Sequence, residues 1–302
     1  MKTKFCLFAL TVAALALGSC SESENGGSEA AKYITVSSGI GNMSRVATNA
    51  DGTQKFTAGD KISVYAWTGS KDAAPAVADR VVDNAVNTLG ENGEWVAAPQ
   101  MLWKDQATPH FFAAVYPSTE TSLADLTKLA YTLDVNNQTS SDLLVATSLD
   151  GVKAQNNPVQ LKFDHVMAKM TVNLEYRDQF GGTPTVTSLV VKNAASDAFV
   201  NLLTKAVAVA SDAARAELAF PAVEPNKKYT SVLVPQSGVS KIVITIDGKQ
   251  YVYTHTSDIK LESGKETVVN LIVGRDEITL GDVTIGEWGK GEPIDGGEAQ
   301  TD

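Results

Sequence analysis

The sequence predicts an all-β fold, and three observations carry that reading. Apolar and polar residues alternate with period two along several segments, tight-turn dipeptides separate apolar runs, and no strand–helix–strand rhythm of a parallel-sheet fold occurs. Ile62, Val64 and Ala66 alternate with polar partners in KISVYAW, Val172, Leu174 and Tyr176 in TVNLEY, and Ile242, Ile244 and Ile246 in KIVITID. Alternation of this kind describes a strand with one buried and one wet face. Many short strands in a chain of 302 residues point to β-sandwiches.

Taken in order, the chain opens with Lys2 and Lys4, an apolar run from Phe5 to Leu17 and then small residues, the three-part layout of a secretory signal over 1–19. That run is too short to cross a bilayer as a helix. Leu17-Gly18-Ser19-Cys20 resembles the lipobox of bacterial lipoproteins, in which the cysteine thiol is joined to diacylglycerol and becomes the first residue of the mature chain. The resemblance makes Cys20 a lipidation site and implies an anchor in the outer membrane; the alternative is an ordinary signal peptide with an incidental cysteine. Several acyl chains make such an anchor stable. Residues 20–30 follow as an acidic, small-residue tether without a large apolar group. The acidic tract resembles the surface-export signal of Bacteroidetes lipoproteins, with a plain flexible linker as the alternative.

The folded part divides by composition near Asn156-Asn157-Pro158 into an N-terminal β-sandwich domain, 31–157, and a C-terminal one, 158–288. In the first, Tyr33 to Val36 is a possible opening strand, KISVYAW a firm one, and Asn92-Gly93 a turn before Glu94-Trp95-Val96. In the second, Asp247-Gly248 predicts a two-residue hairpin joining Lys241–Ile246 to Lys249–His255, because Asp-Gly readily takes positive φ angles. Lys205 to Leu218 is alanine-rich and reads as either a helix or, in its first half, a strand. Gly289 to Asp302 has no apolar run and is expected to be a flexible polar tail.

Composition excludes several functions. The only cysteines are Cys6 and Cys20, so once the leader is removed a single thiol remains, with no partner for an intrachain disulfide and no cysteine zinc site. A formal charge of −10 argues against nucleic acid and anionic membrane faces as partners. His110, His165 and His255 are isolated, without metal-ligand spacing. His110 and His165 read as hydrogen-bonded structural residues, and His255 is expected to be exposed. Gly39-Ile40-Gly41 lacks the third glycine of a dinucleotide loop and is expected to be a turn. Asn49-Ala50-Asp51-Gly52 lacks the glutamate that completes a calcium loop. The reading is of no cofactor, no metal and no catalytic residues.

A set of segments then resembles one family. Phe56-Thr57-Ala58-Gly59-Asp60-Lys61-Ile62-Ser63-Val64, Trp103 with His110-Phe111-Phe112-Ala113-Ala114-Val115-Tyr116-Pro117, Asp142-Leu143-Leu144-Val145-Ala146, Val159-Gln160-Leu161-Lys162-Phe163-Asp164-His165 through Lys169, and Ile285-Gly286-Glu287-Trp288 stand in the order of the landmarks of Bacteroidetes fimbrillin-like proteins. The chain is similar to that family over nearly its whole mature length. The resemblance implies two transthyretin-like, Greek-key β-sandwich domains in tandem and a role as a fimbrial subunit. It also implies removal of an N-terminal strand by cleavage after an arginine, with the opened groove accepting a strand from another subunit. Arg45 lies between the possible first strand and the Phe56 segment, and is the candidate processing site; the alternative is an ordinary loop arginine.

The tail offers only Ile294 as a large apolar residue, so it is a poor donated strand, and Ile278 to Ile285 fits better inside the chain's own C-terminal domain. This favours a tip or accessory subunit, or a stand-alone surface adhesin, over a repeating stalk subunit. The expected partners are other fimbrial subunits, the outer membrane, and a host or bacterial surface glycan or protein. A second reading is a carbohydrate-binding surface lipoprotein of a glycan-uptake system, with Trp67, Trp95, Trp103 or Trp288 as a stacking platform. An enzymatic role has no motif behind it.

Overall fold

The computed structural model describes residues 32–40, 55–134, 136–180, 182, 184–275 and 278–288. The expected leader, the tether with Cys20, the processing arginine Arg45, the Asn49–Gly52 fragment and the tail lie outside these residues.

Among the described residues the chain forms nineteen strands and a single four-residue α-helical turn, Gln138–Ser141. The first sheet holds β1 (Val36–Ile40), β2 (Lys61–Trp67), β3 (Arg80–Leu89), β4 (Trp95–Ala98), β5 (His110–Tyr116), β7 (Leu144–Val152) and β8 (Val159–His165), in the spatial order β1-β8-β7-β5-β2-β3-β4. Strand β6 (Leu129–Thr132) leaves this sheet and pairs with β11 (Asp197–Val200), which in turn pairs with β12 (Val207–Val209). A five-stranded sheet holds β9 (Ala168–Tyr176), β14 (Ala222–Glu224), β15 (Lys228–Leu233), β18 (Lys265–Val273) and β19 (Ile278–Glu287). A four-stranded sheet holds β10 (Val186–Ala195), β13 (Arg215–Ala219), β16 (Lys241–Ile246) and β17 (Lys249–Thr254).

The seven-stranded sheet has a core on each face. Ile62, Val64, Ala66, Phe112, Ala114, Leu144, Ala146, Leu161 and Phe163 point into one. Tyr65, Trp67, Ala113, Val115 and Val145 point into the other. The expectation of one wet face in KISVYAW is therefore corrected, since Ile62 through Trp67 are all buried. The second core has no break. It runs past Leu126 to Leu133 and on between the four- and five-stranded sheets, through Met170, Val172, Leu189, Ile242, Ile244, Val269 and Leu271.

Asp247 (φ 48°) and Gly248 (φ 81°) form the expected two-residue hairpin between β16 and β17, and Gly93 (φ 80°) turns β3 into β4. The ambiguous Lys205–Leu218 segment is two strands, β12 and the start of β13, with Ser211-Asp212 in the turn between them.

The opening strand runs from Val36 to Ile40 rather than from Tyr33 to Val36. Gly39 and Ile40 finish it instead of forming a turn, because β8 offers a full row of backbone partners alongside.

The sheets do not separate at 157/158. Strand β8 follows that point in sequence yet pairs with β7 and β1 of the first sheet, while β6 precedes it yet pairs with β11.

Candidate functional site

The seven-stranded sheet ends in β1 on one side and β4 on the other, and the two ends approach each other. Strand β1 pairs in parallel with β8, from Val36 opposite Val159 to Ile40 opposite Phe163. Its other flank faces β4 and the segment after it. Ile34 N–H donates to Met101 O (3.0 Å), and Trp95 Nε1–H donates to Ser38 Oγ (2.9 Å). An open cleft of about 690 Å³ runs beside β1, lined by β1 itself and by Phe56, Leu89, Trp95, Val96 and Pro158.

Beneath β1 the trough is aromatic. Phe56 meets Trp95, Tyr116 and Phe163 edge to face, with ring centroids 5.2 to 5.3 Å apart. Such pairs contribute beyond their buried area, roughly 0.5–1.5 kcal/mol each. Ile34 and Val36 sink into this core, each worth roughly 1.5–3 kcal/mol of burial.

The Phe56–Asp60 turn holds the trough open in shape. Gly59 takes φ 93°, a region that favours glycine, and its N–H donates to Leu89 O (2.8 Å). Asp60 accepts from Thr57 N–H (2.6 Å) and from Tyr116 Oη–H (3.1 Å). Burial, and then the negative charge of Asp60, push the Tyr116 phenol well above its usual value, so it stays a donor.

A second constellation joins three segments that sequence reasoning had singled out separately. His165, at the end of β8, donates through Nδ1–H to Asp142 Oδ1 (2.8 Å), and its ring stacks on Trp288 at 4.5 Å and 8°. His165 Nε2 is buried without a hydrogen-bond partner. Trp288 is fully buried, so the end of β19 is locked against the junction of the first sheet with the rest of the molecule. Gly264 N–H donates to Met167 O (2.9 Å) and Ser263 Oγ–H to Val166 O (2.8 Å), fastening the same junction. The distances describe a structural joint, and among the described residues no nucleophile is hydrogen-bonded to the dyad.

The remaining sequence candidates fall as follows. His110 is buried, with Nδ1–H donating to Thr108 O (2.8 Å) and Nε2 accepting from Lys104 N–H (3.1 Å), as expected of a structural histidine. Burial holds it below its ordinary value. His255 is half-buried rather than exposed, because Tyr253 Oη lies 2.7 Å from its Nδ1.

Trp67, Trp95, Trp103 and Trp288 are 1, 8, 8 and 0% exposed, so none presents a free face for stacking a sugar. Sequence reasoning missed a cleft of about 760 Å³ between the Thr68–Arg80 loop and Leu102–Lys104. Two residues lining it, Trp103 and Arg80, each carry a buried N–H without a partner, at Nε1 and Nε. Among the described residues no group of His, Cys, Asp or Glu is arranged to hold a metal ion, and no helix is long and apolar enough to cross a membrane.

These features define an all-β protein whose first described strand is an edge strand seated over an apolar trough. The chain belongs to the fimbrillin-like family, whose model matches residues 44–288. Among the described residues that match takes in every strand except β1.

Solved structures carry the same fold. A proposed cell adhesion protein of Bacteroides ovatus superposes with a TM-score of 0.68 at 20% identity, covering 86% of this chain and 99% of that one. Another, of Bacteroides uniformis, has a TM-score of 0.66 at 17% identity, with 85% and 99% coverage. A fimbrial protein of Bacteroides vulgatus has a TM-score of 0.54 at 13% identity, with 84% and 99% coverage. No curated protein matches the chain by sequence.

Proposed function

We propose that the protein is a lipid-anchored subunit of a surface fimbrium that serves in adhesion, and that its β1 groove accepts a strand from another subunit after cleavage at Arg45. The observation that carries this reading is the seating of β1. It is a five-residue edge strand over an apolar trough, followed in sequence by Arg45 and lying outside the stretch that the family model covers. Removing β1 would leave the edge of β8 unpaired and the Phe56, Trp95 and Phe163 rings uncovered, which is what strand addition requires: backbone partners for affinity and pockets for alternate side chains.

The outer-membrane anchor rests on the Cys20 lipobox. Two sandwich-type domains, one on each side of the His165–Ala168 junction, are the domain reading we favour.

The pairing of β19 supports a position at the end of a filament. Strand β19 pairs with β18 along its length, from Lys265 opposite Glu287 to Val273 opposite Ile278, and Trp288 closes it. The tail beyond carries only Ile294 as a large apolar residue. With β19 paired inside the chain's own sheet and an apolar-poor stretch after it, the position we favour is that of a tip or accessory subunit.

Immunogold electron microscopy of cells carrying this protein tests the reading: label at filament ends is expected, and Cys20→Ala should release the protein from the membrane fraction. Label spaced along the filaments, or a heat-resistant ladder of the purified, cleaved chain on a denaturing gel, would assign it to the stalk instead. Glycan capture, the second reading, has only the cleft at Trp103 and Arg80 in its favour. It predicts saturable quenching of tryptophan emission by a soluble polysaccharide.

A further inference from the structure

We infer that the β1 groove is selective, and that Trp95 is the residue that reads the strand it holds. The inference rests on the strand-exchange reading above. It adds the sequence that an incoming strand must carry.

Residues 34, 36, 38 and 40 of the seated segment face the trough. Ile34 and Val36 lie in its core, and Ile40 packs against the same cluster. Between them comes Ser38, whose Oγ accepts the indole N–H of Trp95 at 2.9 Å. The Trp95 ring is itself 8% exposed and is held edge to face by Phe56, so the donor is fixed where an acceptor must come.

The alternate residues face outward. Thr35 exchanges hydrogen bonds with the Asn157 side chain, 2.9 Å from its N–H and 2.8 Å to its Oγ1, and the half-buried Ser37 donates its Oγ–H to Gln160 Oε1 at 2.6 Å; these bonds are open to solvent. A Cβ added at Gly39 would meet nothing within 4 Å. Outward positions therefore tolerate substitution, whereas inward ones do not.

An apolar residue in the place of Ser38 would cover the Trp95 N–H without satisfying it. A buried donor left in that state costs more than the hydrogen bond contributes when made. The groove thus selects a strand of the pattern apolar-x-apolar-x-Ser/Thr-x-apolar, read in the direction of β1, with the same residues in reverse order for a strand entering the other way. The donor we infer is a strand of another surface subunit that carries this pattern; the stretch GKGEPIDGGEAQTD does not contain it.

Fluorescence anisotropy of a labelled peptide of residues 34–40 on the full chain cut after Arg45 by an arginine-specific protease tests this. The parent peptide and its Ser38→Thr form should bind alike, Ser37→Ala should bind within about twofold, and Ser38→Ala should bind roughly tenfold more weakly. On a Trp95→Phe protein the Ser38→Ala peptide and the parent should bind equally.

Equal binding of the Ser38→Ala and parent peptides to the unsubstituted protein overturns the inference and leaves strand exchange standing. If the cut chain is still folded by circular dichroism and binds none of the peptides, strand exchange falls and the inference with it. Resistance of Arg45 to the protease has the same consequence at the first step. The peptide arm needs no substituted protein, so a Trp95→Phe chain that fails to fold does not shield the claim.

Discussion

Strands β1 and β19 are both edge strands near the ends of the described chain, and they are held in opposite ways. The first is five residues long and pairs in parallel with β8 alone. The second is ten residues long, pairs antiparallel with β18 and ends in a fully buried tryptophan. Most of what β1 contributes is side-chain burial in a trough that the rest of the sheet already shapes through Phe56, Gly59 and Asp60. What β19 contributes includes its own anchorage, through Trp288 on His165 and an ion pair between Glu287 and Lys265. A strand of the first kind can be exchanged for another of similar pattern, whereas one of the second kind belongs to the fold.

Substitutions at the two ends should separate these roles. Trp288→Ala removes a fully buried indole and its stacking contact with His165, and should lower the unfolding free energy by about 3–5 kcal/mol in a urea titration. Ile34→Ala should cost about 2 kcal/mol in the intact chain. The loss should vanish once the chain has been cut after Arg45 and β1 replaced; a loss that persists would place Ile34 in the permanent core.

Gly264→Ala probes the joint next to Trp288. Gly264 has φ 69° and an added Cβ would lie 2.9 Å from His165 O, so a loss of about 1–2 kcal/mol is expected.

The smallest effect is a pH dependence. Burial holds the His110 value below that of a free histidine, so the unfolded chain takes up its proton first as pH falls. The contribution is fully present above the free value of about 6.5 and is lost as pH falls through the folded value. His110→Gln should therefore flatten the melting temperature between pH 7 and pH 5 relative to the parent chain.

Much of the fold was legible because it depends on short-range chemistry. The β16–β17 hairpin follows from Asp247-Gly248, and the all-β class from alternation and turns. Other features were not legible, because tertiary neighbours decide them. Ser63, Tyr65 and Trp67 look like the wet face of a strand, but a second core covers them. Ser37-Ser38-Gly39 has little intrinsic strand preference, and becomes a strand because β8 and the trough await it. The Lys205–Leu218 segment was ambiguous because alanine does not itself decide between helix and strand, and β11 supplied the missing partner for β12.

Composition near Asn156-Asn157-Pro158 marks a loop, and loops do not reveal which sheet the next strand joins. The Asp142–His165–Trp288 joint was visible only as three separate landmarks, since nothing in their spacing says that they meet. The trough was half-legible, because Phe56, Asp60 and Tyr116 lie in recognised segments while the Trp95–Ser38 hydrogen bond links positions that no local pattern connects.

Hydrogen–deuterium exchange read by mass spectrometry, before and after cleavage at Arg45, tests the contrast between the two strands most directly. The account predicts that cleavage and dilution strip protection from residues 34–40 and 159–165, that residues 265–273 and 278–287 keep theirs, and that adding the 34–40 peptide restores protection to 159–165. Loss of protection in both strand pairs together, or unchanged protection of 34–40 after the cut, would contradict it.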